Sequence, residues 1–387
     1  MKENSLTACE IVQIACQFAW PDAELVCEPY GNGHINDTYL VMFRERDRGR
    51  SFVSFSSDAD AYLPNKRRQR TVPCLPFILQ RINAGVFKRP EQVMENVEAV
   101  TAWIARRLLE EGRDPEREVL QIVRTREERP FYLDTSGDCW RAYRLIEGAV
   151  SYEQALTEEI FFQSAVAFGD FQYLLSDYPA DTLHETIPDF HNTPARLRQF
   201  LDAVERDPVG RVKSVAPEIA FLKEKAYLAD RLTKAAAAGS LPLRVTHNDT
   251  KLNNVMIDEK TGRGLCVIDL DTVMPGLSVT DFGDAIRFGA STGAEDEPDL
   301  TKVHFDRHLY DVYREGFMEG CRGALSKAEI DMLPDGAMVI TYEQALRFLT
   351  DYVNGDVYYK TARPDHNLDR ARTQIRLVSE MEQQLKC

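Results

Sequence analysis

The chain has 387 residues, 44% of them hydrophobic, and carries 47 Lys and Arg against 62 Asp and Glu, a formal net charge of −15. That balance repels nucleic-acid phosphates and anionic lipid and excludes polyanion binding as its purpose; a phosphorylated ligand would need a divalent cation or a local basic cluster. Its length exceeds what one hydrophobic core usually serves, so two domains or a two-lobed unit are expected. The eight cysteines include no C-x-x-C pair, which excludes a zinc ribbon or a dithiol redox motif. Glu10 and Gln13 interrupt the apolar residues of the N-terminus and no run of 18 apolar residues occurs, so a soluble cytoplasmic protein is expected, with neither membrane nor nucleic acid as partner.

After an opening amphipathic helix, "AELVCEPYGNGHINDTYLVMF" reads as strand, glycine-containing turn, strand. Residues 45–75 are polar and basic around a short apolar piece and read as loop or a mobile hairpin. "FILQRIN" supplies a third strand, and Pro90 opens a helix in which Val93, Val97, Val100, Ile104 and Leu108 follow the 3.6-residue period. Two further short strands are expected near "REVLQIV" and "CWRAYRLIEGA". From about residue 150 the pattern turns helical, with apolar-periodic segments near 152–176, 194–206, 216–238, 300–320, 337–353 and 366–384. One strand pair, "NVMID" and "LCVIDLD", lies among them, joined by "EKTGRG". Strands first and helices second predict an α+β protein of two lobes, 1–146 and 147–387, joined near Leu145–Gly148 with a cleft between.

The stretch "VTHNDTKLNN" at 245–254 has more short polar side chains than a turn requires. If Asp258 pairs with Leu265 across the hairpin, the register brings Asn254 opposite Asp269, with Cβ atoms roughly 5 Å apart. An amide oxygen beside a carboxylate is a hard-ligand pair of the kind Mg²⁺ takes together with substrate phosphates. Asp249 lies five residues before Asn254 and 20 before Asp269. That spacing matches a kinase catalytic loop, in which the first Asp accepts the attacking hydroxyl's proton and the Asn and later Asp hold metal. His247 is expected to buttress the loop, and Lys251 to steady a phosphate charge.

Asp281-Phe282-Gly283 spells the DFG of protein kinases, yet it lies 32 residues past Asp249 and follows turn residues. Spacing and register favour Asp269; Asp281 and Asp284 are expected to fix the loop or to touch metal or acceptor. Asp271, placed on the same strand face as Asp269, is the rival metal carboxylate. Upstream, Gly31, Asn32 and Gly33 sit where a phosphate-covering loop is needed, although Asn36 replaces the third glycine of G-x-G-x-x-G. His34 either points into the cleft or is an exposed loop histidine. The third strand lacks the kinase lysine: Gln80 or Arg81 contacts phosphate, on opposite faces, with Glu95 or Glu98 as helical partners. Ile146 and Glu147, at the junction of the lobes, are assigned to the nucleotide.

"THNDTKLNNVMID", "CVIDLDTVMPG" and "DFGDAIRF" resemble the aminoglycoside phosphotransferase superfamily of small-molecule kinases, most closely the N-acetylhexosamine 1-kinases. "GNGHINDTYLV", "FILQRIN", "VFKRPEQVMENV", "ETIPDFHNT" and "LRFLTDYVNGDVYYK" look like the same subfamily, so the resemblance spans nearly the whole chain. It implies a bilobal protein-kinase-like fold, with a nucleotide-binding N-terminal lobe and a C-terminal lobe for catalysis and acceptor. It also implies ATP- and Mg²⁺-dependent phosphorylation of the anomeric hydroxyl of N-acetylglucosamine or N-acetylgalactosamine. By position, Asp249 looks like the base, Asn254 and Asp269 like metal ligands, and His34 and Arg347 like sugar contacts. Residues 45–75 depart from the family pattern. Another small acceptor, an aminoglycoside, choline, methylthioribose or homoserine, stays open, since Asp281, Asp284 and Asp356 would suit a cation; a catalytically dead binding module is the third reading. A monomer is compatible with the sequence.

Overall fold

The computed structural model of the protein describes residues 6–19, 24–31, 36–43 and 75–385. Internal contacts divide the chain into two units, Met1–Val86 with Gln121–Leu145 and Phe87–Leu120 with Ile146–Cys387. Of the polar segment expected as loop or hairpin, residues 45–74 lie outside the described residues.

The first unit is an antiparallel sheet backed by α1 (Ala8–Ala15), whose start is closed by a capping box between Thr7 and Glu10. Its strands are β1 (Leu25–Pro29), β2 (Asp37–Phe43), β3 (Phe77–Arg81), β4 (Ile122–Val123), β5 (Tyr132–Leu133) and β6 (Cys139–Arg144). They run in the order β1-β2-β3-β6-β4, with β5 paired to β6. Alternation decides the faces: Val41, Phe77, Leu79, Trp140 and Ala142 turn inward against Ile11, Ile14 and Phe18 of the N-terminal segment. The strand expected at "REVLQIV" survives only as β4. Asp114 caps a short helix there by accepting the Glu116 N–H at 3.0 Å, and Pro115 fits that helix's first turn.

The second unit is mainly helical. It contains α2 (Pro90–Glu110), α3 (Pro115–Glu118), α4 (Glu158–Leu174), α5 (Thr193–Arg206), α6 (Ala216–Glu224), α7 (Arg231–Ala237), α8 (Ser278–Gly289), α9 (Arg307–Cys321), α10 (Lys327–Asp331), α11 (Leu333–Val353) and α12 (His366–Gln384). Five short strands stand among them: β7 (Ala149–Val150), β9 (Val255–Asp258) and β10 (Gly264–Val267) form one sheet, β8 (Arg244–Thr246) and β11 (Met274–Gly276) another. Among the described residues no helix is long and apolar enough to cross a membrane.

Two expectations are corrected. The residues before Asp281, expected as turn, are the first turn of a helix over 278–289, because Val279, Phe282 and Ile286 share one face and are fully buried. Within it the apparent DFG dissolves into three packing roles. Asp281 holds backbone, Phe282 packs edge-on and tilted among Tyr310, Tyr313 and Phe317, and Gly283 lets α8 touch α11. A Cβ on Gly283 would strike the Gly336 carbonyl, and one on Gly336 the Val279 carbonyl.

The second correction is the hairpin register. Val267 pairs with Val255 and Cys266 with Met256, one residue off the expected pairing, with an irregularity next to Gly264. The cause is the turn. Asp258 Oδ1 accepts the Lys260 and Thr261 N–H groups, and the Asp258 N–H donates to Arg263 O at 2.9 Å, so the loop closes on Arg263 instead of Leu265. A one-residue slip puts Asn254 opposite Ile268, whose N–H donates to Asn254 O at 2.9 Å.

Candidate active site

The polar loop at 247–254 leaves β8 and enters β9 through a single 3-10 turn at Leu252–Asn254. His247 is wholly buried between the rings of Phe168 and Phe171. Its Nδ1 accepts the Asp249 N–H at 3.3 Å, which assigns the ring hydrogen to Nε2, 2.9 Å from Ile268 O. The imidazole therefore ties the loop to the strand that precedes Asp269. Asn248 adopts a left-handed backbone, φ 65°, an arrangement that asparagine tolerates better than most residues.

That conformation is held from below by α8. Asp281 is 2% exposed and receives the His247 and Asn248 N–H groups at 2.8 Å each, with Gln172 Nε2 also at 2.8 Å. Burial pushes its carboxyl pKa up and the loop amides oppose this. N–H donors on both oxygens are the surroundings an ionised carboxylate fills. One turn on, Asp284 accepts the Thr250 N–H at 3.0 Å and the Arg287 guanidinium at 3.1 Å. Burial opposes ionisation of Asp284, but Arg287, Lys251 and His191 outweigh it and hold its pKa below the usual range.

Asp249 is only partly exposed, and both carboxylate oxygens are engaged: Oδ1 by Lys251 Nζ at 2.8 Å, Oδ2 by Asn254 Nδ2 at 3.1 Å. The Asn254 amide nitrogen also donates to Asp249 O at 2.8 Å, which leaves Oδ1 as its accepting end. Burial works against the Lys251 ammonium, yet Asp249 and Asp284 raise its pKa overall. The third asparagine, Asn253, turns away to Glu153 Oε2 at 3.0 Å. Asp269 has left the strand and stands in the left-handed region, φ 58° and ψ 59°. Asp271 follows in a 3-10 turn, not on a strand face as expected, and is 3% exposed. An amide oxygen and a carboxylate oxygen are the hard donors Mg²⁺ prefers, and its remaining positions are ordinarily filled by water and phosphate. Among the described residues no cluster of three or more His, Cys, Asp or Glu forms a ready metal cage.

Arg347 lies on α11 with its guanidinium 6.0 Å from the Phe190 ring and 5.7 Å from that of Tyr359, and donates to Gln344 Oε1 at 3.0 Å. One turn before it, the buried Glu343 accepts Thr193 Oγ1 at 2.6 Å and meets His191 Nδ1 at 3.0 Å. Burial alone would lower the His191 pKa; Glu343 raises it overall, and Glu343 is lowered in turn. Sequence reasoning missed His191, Glu343 and Tyr359. The available signals were a histidine inside "PDFHNT" and an acid four residues before Arg347 in "EQALR". Asp356 is already engaged by Arg211 and Asn367. Separately, a cavity of about 800 Å³ is lined by residues including Thr250, Leu252, Arg287 and Phe288.

In the first unit Gly31, just after β1, has φ 74°, a value glycine adopts without strain, while Asn32, Gly33 and His34 lie outside the described residues. Asn36, in place of the third glycine, accepts the Asn83 N–H at 3.0 Å. Gln80 Oε1 accepts two bonds from Arg141, at 3.0 and 2.9 Å, and its Nε2 donates to Thr38. Arg141 is fully buried, a strand cation that sequence reasoning passed over. Arg81, on the other face, is neutralised by Asp37 and Asp138. Glu95 pairs with His184 at 2.6 Å rather than with a strand residue. At the start of the second unit's long segment Ile146 is half-buried, and Glu147 is exposed with its carbonyl bonded to Arg117.

A sheet-rich N-terminal part with a glycine turn, followed by a helical part bearing this loop, is the bilobal protein-kinase-like architecture of small phosphotransferases. The model of the phosphotransferase enzyme family (APH) matches residues 26–315, and the chain belongs to that family. Among similar solved structures, a microcompartment-associated aminopropanol kinase is 19% identical over 97% of this chain and 97% of that one, with a TM-score of 0.60. An aminoglycoside phosphotransferase from Alicyclobacillus acidocaldarius subsp. acidocaldarius DSM 446 is 12% identical over 100% and 98%, TM-score 0.59. An amicoumacin kinase solved with AMP-PNP and Ca²⁺ is 12% identical over 98% and 94%, TM-score 0.57. At these identities the likeness is one of fold.

Proposed function

We propose that the protein is an ATP- and Mg²⁺-dependent kinase that transfers the γ-phosphoryl group to the anomeric hydroxyl of an N-acetylhexosamine, GlcNAc or GalNAc. Asp249 accepts the hydroxyl proton as that oxygen attacks phosphorus in line and the bond to the leaving diphosphate breaks. Each carboxylate oxygen holds one resting donor, Lys251 on Oδ1 and Asn254 on Oδ2, and keeps a second lone pair for the hydroxyl proton. Lys251, whose ammonium rests on Asp249, would carry charge on the transferring group. Asn254 and Asp269 would hold the metal, which when bound offsets charge on the β- and γ-phosphates. In the sheet, Gly31 opens the turn that would cover phosphate.

The observation that carries the acceptor class is the Arg347 cluster. A permanent guanidinium stands between two aromatic rings, and its nearby acid, Glu343, already holds His191 and Thr193. A neutral sugar with an acetamido carbonyl can take a hydrogen bond from that cation and lie against a ring. An ammonium group would be repelled there. The competing reading, a small amine acceptor, is favoured by what the similar structures are named for, aminopropanol among them. Incubation with Mg-ATP and a panel of sugars, amino alcohols and aminoglycosides, read by phosphorus NMR, separates the two. An anomeric phosphate from GlcNAc or GalNAc is expected; a phosphorylated amino alcohol with no sugar product would transfer the assignment to the second reading.

A further inference from the structure

Three consecutive carbonyls, those of residues 271–273, follow Asp269, and each is gripped by a side chain from a different part of the second unit. Thr186 Oγ1 donates to Asp271 O at 3.2 Å, Asn248 Nδ2 to Thr272 O at 2.8 Å, and Asn96 Nδ2 to Val273 O at 2.9 Å. The turn between them is closed by the Val273 N–H on Leu270 O at 3.2 Å. Asn96 is 2% exposed on α2 and makes two more bonds, donating to His184 O at 2.8 Å and accepting the His184 N–H at 2.9 Å. One amide thus joins α2, the 184–186 segment and the end of the Asp269 turn.

The backbone at Asp269 needs such restraint. It sits at φ 58° in a region that residues with a Cβ seldom occupy, and such conformations persist only where the surroundings over-determine them. Thr272 adds a return contact, its hydroxyl donating to His247 O at 2.6 Å, so the Asp269 turn and the catalytic-loop candidate are locked together. In protein kinases a strand lysine and a helix glutamate couple the equivalent helix to the site. This chain has no lysine at Gln80, and Glu95 is turned to His184.

We infer that Asn96 and Thr186 are positioning residues for the Asp269 carboxylate: by fixing the carbonyls of residues 271 and 273 they hold the left-handed turn that presents it to a divalent cation. This rests on the reading of Asp269 as a metal ligand. It also gives the segments "PEQVMENV" and "ETIPDFHNT" a common task, since one contributes Asn96 and the other Thr186.

The experiment titrates Mn²⁺ into the full chain with AMP-PNP present, followed by electron paramagnetic resonance, beside the Mg²⁺ concentration giving half-maximal rate. Thr186→Val keeps volume and removes the donor; Asn96→Asp keeps the acceptor for His184 and removes both donations. Removal of residues that orient a metal ligand costs about 10- to 100-fold in affinity. At least the lower figure is expected for both variants, with metal-free nucleotide affinity unchanged and Thr186→Ser close to wild type. Should Asn96→Asp fail to fold, Thr186→Val, half-buried and losing one bond, decides alone. Wild-type Mn²⁺ affinity in Thr186→Val, with only the melting temperature lowered, overturns the inference. Asp269→Asn distinguishes the two failures: if it binds Mn²⁺ normally, the metal role of Asp269 and the inference fall together, whereas if it alone loses Mn²⁺, only the inference falls.

Discussion

Replacing Asp281 by asparagine separates two meanings of that residue, a metal carboxylate within an apparent DFG or the anchor of the loop at 247–249. In the structure Asp281 accepts three N–H donors at 2.8 Å, two of them backbone amides, in a site 2% exposed. The side-chain amide introduced by Asp281→Asn would turn an NH₂ group toward one of those backbone N–H groups. A hydrogen bond to a charged group contributes about 1.5–3 kcal/mol, and a buried N–H left without an acceptor costs a further ~1–3 kcal/mol. The variant should therefore lose roughly 2.5–6 kcal/mol, a large share of the ~5–15 kcal/mol typical of a folded protein. Urea unfolding measures the loss, and hydrogen exchange at the His247 and Asn248 amides should show local opening first. Mn²⁺ binding in the folded variant should be weakened only through the loosened loop. A variant within about 1 kcal/mol of wild type, with exchange protection intact and Mn²⁺ binding abolished, would refute the reasoning and return the metal role to the DFG aspartate.

Asp249→Asn should bind nucleotide normally, judged by the melting shift with AMP-PNP, while turnover falls by at least about 10²-fold, the lower range for a positioned base; near-normal turnover removes Asp249 from that role. Arg347→Lys should raise the acceptor KM about tenfold with the ATP KM unchanged, because a point charge cannot reproduce the guanidinium's planar donors; a change confined to the ATP KM would place Arg347 elsewhere. The His191–Glu343 pair sets a pH window. The His191 pKa is raised from 6.5, so its stabilisation is complete below about that pH and is lost as pH climbs through the folded value. The Glu343 pKa is lowered from 4.5, so its stabilisation is present above that pH and is lost as pH falls through the folded value. His191→Gln should abolish the alkaline limb of the stability profile, and an unchanged limb would show that another group produces it.

How much of this was legible beforehand follows from the range of each interaction. The order of strands before helices, the helix at Pro90–Glu110 and the polar loop at 247–254 depend on periodicity and near-neighbour spacing, which a sequence displays directly. The charge of −15 and the absence of a C-x-x-C pair likewise bound the chemistry without a structure. The hairpin register was lost because Asp258 closes its turn with side-chain bonds, and a slip of one residue leaves the alternating pattern intact. The residues before Asp281 read as turn because their helix is settled by burial, where α11 packs against α8 and Gly283 is needed for close approach. Arg141 and Glu343 hold buried charges whose partners lie on other strands or segments, and Asn96 meets Val273 across 177 positions of chain. Contacts of that separation leave no periodic trace. The sequence by itself therefore determined the elements and the local polar loop, whereas the paired charges and the grip on the Asp269 turn were decided by tertiary structure, which alone brings such distant donors and carbonyls within hydrogen-bonding reach of one another.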